Sequence, residues 1–190
     1  MKRPAVFQQM QKSYQMHTKA RRDLMVYSND ALSKSKRAIF ALHRNDFTQA
    51  RECLNQAQAL FKSCETSFRS FPELKEEGSY RAGLEEYAEA CLFESYLQKG
   101  SIGKIDPRAM MSSIYLSGLC DTTGEMVRYG VRQVTLGNYD VVSQIHETVS
   151  MIIEFLLDLD LTGYVRTKFD QAKKNLSRLE EMSYDLAIRK

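Results

Sequence analysis

Seven apolar residues, Phe47, Ala50, Leu54, Ala57, Phe61, Cys64 and Phe68, follow one another at intervals of three or four without exception. A helix turns once in about 3.6 residues, so this spacing gathers all seven on one face and leaves the others for water. Strand-like alternation would scatter them. Asp46, just before the run, is placed to cap it. The same spacing returns in a fifth segment, about Tyr139 to Asp160, with Val142, Ile145, Val149, Ile152 and Leu156 inward. It returns again in a sixth, through Val165, Phe169, Ala172, Leu176, Leu179 and Leu186. A long first segment, about Ser13 to Arg44, has a seam of Leu24, Tyr27, Ala31, Ala38 and Leu42. The third runs from about Tyr80 to Gln98 and stops at Gly100. Asp106-Pro107 supplies a cap and first-turn proline for the fourth, which continues to about Leu136. No segment alternates as a strand would, and the connections are short. The expectation is an all-α bundle of six to seven long helices in one domain, residues 1–190.

At 190 residues the chain is long enough to bury a sizeable core, and a net charge of +3 does not by itself indicate nucleic acid. Cys53, Cys64, Cys91 and Cys120 form no CxxC pair and sit in helical patterns, as expected of core residues in a reducing compartment. The most apolar stretch, Met151 to Leu161, is too short to span a bilayer and carries Glu154, Asp158 and Asp160. The N-terminus lacks a secretory apolar region. A soluble, cytoplasmic protein without membrane contact is expected.

Two acidic clusters carry the chemistry. Glu86 and Glu89, from Glu85-Glu86-Tyr87-Ala88-Glu89, share a helix face, as do Asp121 and Glu125 from Asp121-Thr122-Thr123-Gly124-Glu125. If the two helices pack, up to four carboxylates converge. So much negative charge calls for a cation, and an all-oxygen donor set suits Mg²⁺ or Mn²⁺. On the third helix the stripe Ala82, Glu86, Glu89/Ala90, Phe93, Leu97 has the spacing of a buried face. The alternative is a solvated face shared with Glu85 and Glu94. On the fourth, a core stripe of Leu116, Leu119, Thr123, Met126, Gly130 and Val134 leaves Asp121, Glu125, Arg128 and Arg132 roughly opposite. Such a polar face can simply be solvated, although Gly118 and Gly124 would admit something close to it. Lys12, Lys19, Lys34, Arg37 and Arg44 occupy one sector of the first helix, either as a solvated face or as a grip on a polyanionic backbone.

Three motifs in order resemble the translin family. Ser35-Lys36-Arg37-Ala38-Ile39-Phe40-Ala41-Leu42-His43-Arg44 is similar to its first-helix motif. Gly83-Leu84-Glu85-Glu86-Tyr87-Ala88-Glu89-Ala90 resembles its GLQEYVEA segment, and Leu119 to Arg128 its ADLTGELMR segment. The last helix, through Leu176, Leu179, Tyr184 and Leu186, is similar too, so the resemblance covers nearly everything after about Lys19. It is stronger to the catalytic-subunit branch, the translin-associated factor X type, than to translin. It implies a Mg²⁺-dependent endoribonuclease with Glu86, Glu89 and Asp121 as catalytic acids and metal ligands and Glu125 assisting. It also implies an octameric shell enclosing RNA. Glu85 stands where the motif has glutamine, and the long basic N-terminal extension of the eukaryotic catalytic subunit is missing. A short, self-sufficient form of this kind would suit a prokaryotic homo-oligomer.

The implied reaction is hydrolysis of an RNA phosphodiester by water, with Glu89 the preferred proton acceptor. Lys19, Lys34, Arg37, Arg44, Arg128 and Arg132 would hold the backbone of single-stranded or duplex RNA, or of single-stranded DNA, with little sequence preference. Rival readings remain. A non-catalytic nucleic-acid-binding oligomer would use the acids structurally. An all-α nucleotide pyrophosphohydrolase favours ExxE followed by ExxD, whereas the second motif here is Asp-x-x-x-Glu. A di-iron bundle needs Glu-x-x-His, which does not occur in this chain.

Overall fold

The computed structural model describes residues 4–103, 105 and 110–188, and no strand occurs among them. Six α-helices follow in order: α1 Ala5–His43, α2 Phe47–Ser70, α3 Gly78–Lys99, α4 Ser112–Thr135, α5 Asp140–Leu157 and α6 Gly163–Ile188. A 3-10 helix, Pro72–Glu76, lies between α2 and α3 and was not expected from the sequence.

Helix α1 starts eight residues before the position expected from its apolar seam, directly after Pro4, whose fixed φ suits a helix entry. The residues from Ala5 to Met16 are all exposed, so no seam marks this reach. Further along, Leu24, Ser28, Ala31, Ser35, Ala38 and Leu42 are fully buried, while Tyr27 is exposed. Small side chains form this face because α1 lies against both α2 and α3. The Ser35 hydroxyl donates to the Ala31 carbonyl at 3.0 Å and so needs no other partner. Asn45, at φ +60°, turns the chain between α1 and α2. Asp46 then accepts from the Gln49 amide at 3.0 Å, the expected cap. Six of the seven apolar positions of α2 are buried, and Phe47 is half-buried.

The Asp106-Pro107 start expected for the fourth helix lies outside the described residues; α4 is described from Ser112. This helix packs against α3, α5 and α6. Leu119, Thr123, Met126 and Gly130 of its expected core stripe are buried, Leu116 and Val134 half-buried. Contact on several sides also buries Ile114, Gly118, Thr122 and Val127. Helix α5 ends at Leu157 rather than Asp160, and its five expected inward residues are all buried. In α6, Phe169, Ala172 and Leu179 are buried and Val165, Leu176 and Leu186 half-buried. Cys53, Cys64 and Cys120 are buried, Cys91 is half-buried, and all four are free thiols. Among the described residues no helix is long and apolar enough to cross a membrane.

Helices α3 and α4 approach one another closely at Gly118. A Cβ on Gly118 would stand 2.7 Å from the Ala88 Cβ and 3.1 Å from both the Glu85 carbonyl oxygen and the Glu89 amide nitrogen. A Cβ on Gly124 would meet only the Asn175 side-chain amide, at 3.4 Å. Gly118, before the second acidic motif, and Gly124, within it, therefore admit neighbouring helices of the same chain. Gly118→Ala is expected to lower stability by about 2 kcal/mol, because backbone on the facing helix cannot yield. Gly124→Ala is expected to be neutral or stabilising by up to about 1 kcal/mol, alanine being the better helix former. Urea midpoints of the two variants test the contrast; equal effects would contradict it.

Candidate functional site

Because α3 and α4 touch at Gly118, the acids on either side of the contact face one another. Glu86, Glu89, Asp121 and Glu125 are all half-buried, and none lies on an open solvated face. Ala82, expected to share the inward stripe of α3, is exposed, whereas Phe93 and Ala90 are buried. Glu85 and Glu94, the markers of the alternative solvated face, are buried as well. Glu94 pairs with Arg51 at 2.9 Å, away from the acid motifs. Glu85 accepts from the Tyr164 hydroxyl at 3.0 Å.

Helices α1 and α6 bring the countercharges. Lys36 of α1 lies 4.0 Å from Glu86. His43, at the end of α1 and almost fully buried, hydrogen-bonds through Nε2 to Glu125, with its ring packed 4.9 Å from that of Phe93. Lys168 of α6, largely buried, donates to Asp121 at 2.6 Å and lies 5.4 Å from the centre of the Tyr164 ring. Arg128 reaches Glu125 at 3.4 Å. Glu89 alone among the four acids has no hydrogen bond or ion pair through its side chain within the described residues, although the Thr122 hydroxyl contacts its carbonyl at 3.5 Å.

The electrostatics follow from this arrangement. Burial pushes the Glu89 carboxyl up to about 9, assisted by the charges of Glu86, Asp121 and Glu125, with Lys168 opposing. Burial also raises Glu86 above the usual carboxylate range, with Lys36 pulling it down and Asp121 and Glu125 pushing it up. Glu85 is raised by burial against the Tyr164 hydrogen bond and the charge of Lys168. Burial works against the Lys168 ammonium, but the hydrogen bond and charge of Asp121, helped by Tyr164, raise its pKa nonetheless.

The donor chemistry, carboxylate oxygens alone, fits a hard divalent cation. Among the described residues no three potential ligands are drawn together closely enough to hold a metal ion. Glu86, Asp121 and Glu125 are instead turned toward Lys36, Lys168 and His43. The convergence of four carboxylates expected from the sequence is thus a mutual electrostatic coupling rather than a closed ligand set.

The six basic residues expected to hold RNA are dispersed. Lys19, Arg37, Arg44, Arg128 and Arg132 are exposed and Lys34 is half-buried. Arg44 bonds Gln49 at 2.9 Å, and Arg132 donates to the His43 carbonyl, tying α4 to the end of α1. The basic residues that meet the acids are Lys36, His43, Lys168 and Arg128, of which only Arg128 is among the expected site residues. Lys36 and His43 are seven apart, two turns of one face, inside the first-helix motif. Lys168 stands one turn before Ala172 at the edge of the inward stripe of α6. That a cation adjoins a buried stripe was visible; which acid it meets was not.

An all-helical junction in which carboxylates of two helices meet cations of two others defines the class. The translin family model matches residues 19–190, and the chain belongs to the translin family. Translin-associated protein X of Pongo abelii is 24% identical over 224 residues, covering 94% of this chain and 77% of that protein. The Schizosaccharomyces pombe homolog is 24% identical over 192 residues, covering 89% and 81%. Among solved structures, AfC3PO superposes with a TM-score of 0.88 at 20% identity, covering 97% of this chain and 98% of that one. The AfC3PO–duplex RNA complex gives 0.86 at 18% identity, covering 97% and 98%, and apo-NeC3PO 0.86 at 20%, covering 96% and 97%. At these identities the structural likeness establishes the translin-like all-α fold.

The raised Glu89 makes a prediction for the protein in chelator. Its folded-state pKa lies above its ordinary value, so the folded state holds the proton more tightly than the unfolded chain. That contribution is complete below about pH 4.5 and is lost as pH rises toward about 9. Glu89→Gln removes it, so the variant should gain stability relative to wild type between pH 5.5 and pH 8.5. Urea midpoints at the two pH values check this, and parallel profiles would contradict it. Lys168→Met should cost about 3 kcal/mol in the same assay at neutral pH, because it strands a half-buried Asp121.

Proposed function

We propose that this protein is a Mg²⁺-dependent endoribonuclease, cleaving RNA with low sequence preference as a homo-oligomer. The observation that carries the reading is the meeting of Glu86, Glu89, Asp121 and Glu125 across the α3–α4 contact, where burial first and the three neighbouring acids second bring Glu89 to about 9. Glu86, Glu89, Asp121 and Glu125 would hold Mg²⁺, with Mn²⁺ the next candidate. When bound, the ion supplies charge neutralisation at the phosphate and a more acidic water. Glu89 is the group to take the proton of the attacking water, its carboxylate being made basic by burial and by three neighbouring acids. At neutral pH in cation-free protein it holds a proton, and positive charge delivered to the site favours its ionised form. Lys168 fixes Asp121 from α6 and His43 fixes Glu125 from α1. Were Asp121 to hold a cation, the Lys168 ammonium now paired with it would be a candidate partner for phosphate.

Lys36 and Arg128, which reach Glu86 and Glu125, would hold the RNA backbone together with Arg37 beside Lys36 on α1; Lys19, Lys34 and Arg44 would extend the grip along α1. The relatives support RNA as substrate, one of them having been solved with duplex RNA. An octameric, cytoplasmic assembly belongs to the same proposal. Its physical support is the first three turns of α1, where Val6, Phe7, Met10 and Tyr14 are exposed. A helical end without packing is marginal in water, so a partner surface would stabilise it. The second reading, an RNA-binding oligomer with structural acids, draws on the same side-chain pairs that keep the carboxylates from closing on one point.

End-labelled single-stranded RNA incubated with the protein in Mg²⁺, in EDTA, and with Asp121→Asn separates the two. Cleavage is expected only with metal and Asp121, leaving 5′-phosphate ends; a loss of at least 100-fold is expected for the variant. Cyclic phosphate ends would defeat attack by water, and RNA retained but uncut in every lane would favour the binding protein. Light scattering should give a mass several times that of one chain, and a monomer would count against enclosure of RNA.

A further inference from the structure

Phe40 is out of place as a core residue. It is 52% exposed, yet it stands on α1 between Lys36 and His43, one turn after the first and about one turn before the second. Both flanking side chains touch the acids of α3 and α4. The Phe40 ring therefore lies on the stripe of α1 that borders the carboxylates. The next exposed large apolar side chain back along α1 is Tyr27, about 20 Å away at 1.5 Å per residue.

The ring is also engaged. The Arg128 guanidinium lies 5.0 Å from its centre while an Arg128 nitrogen reaches Glu125 at 3.4 Å. Ring, guanidinium and carboxylate thus form a chain from the surface into the acid cluster. Exposed Arg37 stands next to Lys36 on α1, so the ring is bordered by cations. An exposed aromatic among cations has a defined use with single-stranded nucleic acid: the cations take phosphate and the ring takes the flat face of a base. A duplex offers no such face, because its bases are already stacked and paired.

Resting on the ribonuclease reading above, we infer that Phe40 is a stacking platform for an unpaired nucleobase beside the carboxylates. Arg128 has the place to hold the adjoining phosphate. A second copy of the chain covering the ring is the competing occupant, and the experiment distinguishes it.

Fluorescence anisotropy in EDTA, which blocks cleavage, would compare the full-length protein with Phe40→Leu and Phe40→Trp. The probes are a fluorescein-labelled single-stranded RNA and a blunt duplex of the same sequence. Phe40→Leu keeps an apolar side chain but loses the flat ring, and should weaken single-strand binding about ten-fold with duplex binding unchanged. Phe40→Trp should retain single-strand binding. An unchanged Phe40→Leu, or equal losses for both RNAs, overturns the platform while leaving the nuclease reading intact. A change in assembly mass on light scattering of Phe40→Leu overturns it in favour of a contact between copies. Wild-type protein that binds neither RNA overturns both readings.

Discussion

The contact of α3 with α4 at Gly118 is the constraint on which the rest of the structure depends. With no side chain at that position, the backbone of one helix rests on Ala88 and on the peptide groups of Glu85 and Glu89 in the other. The residues flanking the contact are the acids. A wider separation would let water between the carboxylates and relax their mutual repulsion toward that of surface groups. Close backbone approach turns two separately unremarkable acidic motifs into one coupled set.

Coupled carboxylates need compensation, and the two helices that hold them supply little beyond Arg128. The bundle brings it from the two ends of the chain. Helix α1 delivers Lys36 and His43, and α6 delivers Lys168, whose charge survives burial because Asp121 is its partner. Breaking such a buried pair costs more than the pair itself contributes, so the arrangement ties α1 and α6 to the α3–α4 centre. Glu89 is the residue left over. Its raised proton affinity comes first from burial and then from the three neighbouring acids, and a further cation would relieve the second of these.

Helices with a continuous apolar rhythm were legible from the sequence nearly residue by residue. Six of the seven apolar positions of α2, and all five of α5, are buried as their spacing requires. Legibility failed where the rhythm carries no signal. The first turns of α1 bury nothing, so nothing in their pattern announces a helix. The apolar seam places Tyr27 inward, yet Ser28 is the buried residue, because a face pressed against two helices selects for smallness rather than apolarity. The acids of the two motifs were found by their spacing. Their partners were not, since Lys36, His43 and Lys168 lie 50, 82 and 47 residues from the acids they meet, distances over which no periodicity speaks.

The sequence by itself determined the helices and their inward faces, because both follow from a 3.6-residue turn and the cost of wetting apolar surface. It also determined that carboxylates would stand in pairs on two of those helices, and through three motifs in order it carried the family. Only the tertiary structure decided which helices touch, and hence that Gly118 admits a neighbouring helix, that Glu85 is buried against Tyr164, and that lysine and histidine from distant segments meet the acids. The reason is physical. Local periodicity fixes the direction of a side chain about its own axis, whereas charge coupling depends on separations between axes, and those are set by packing.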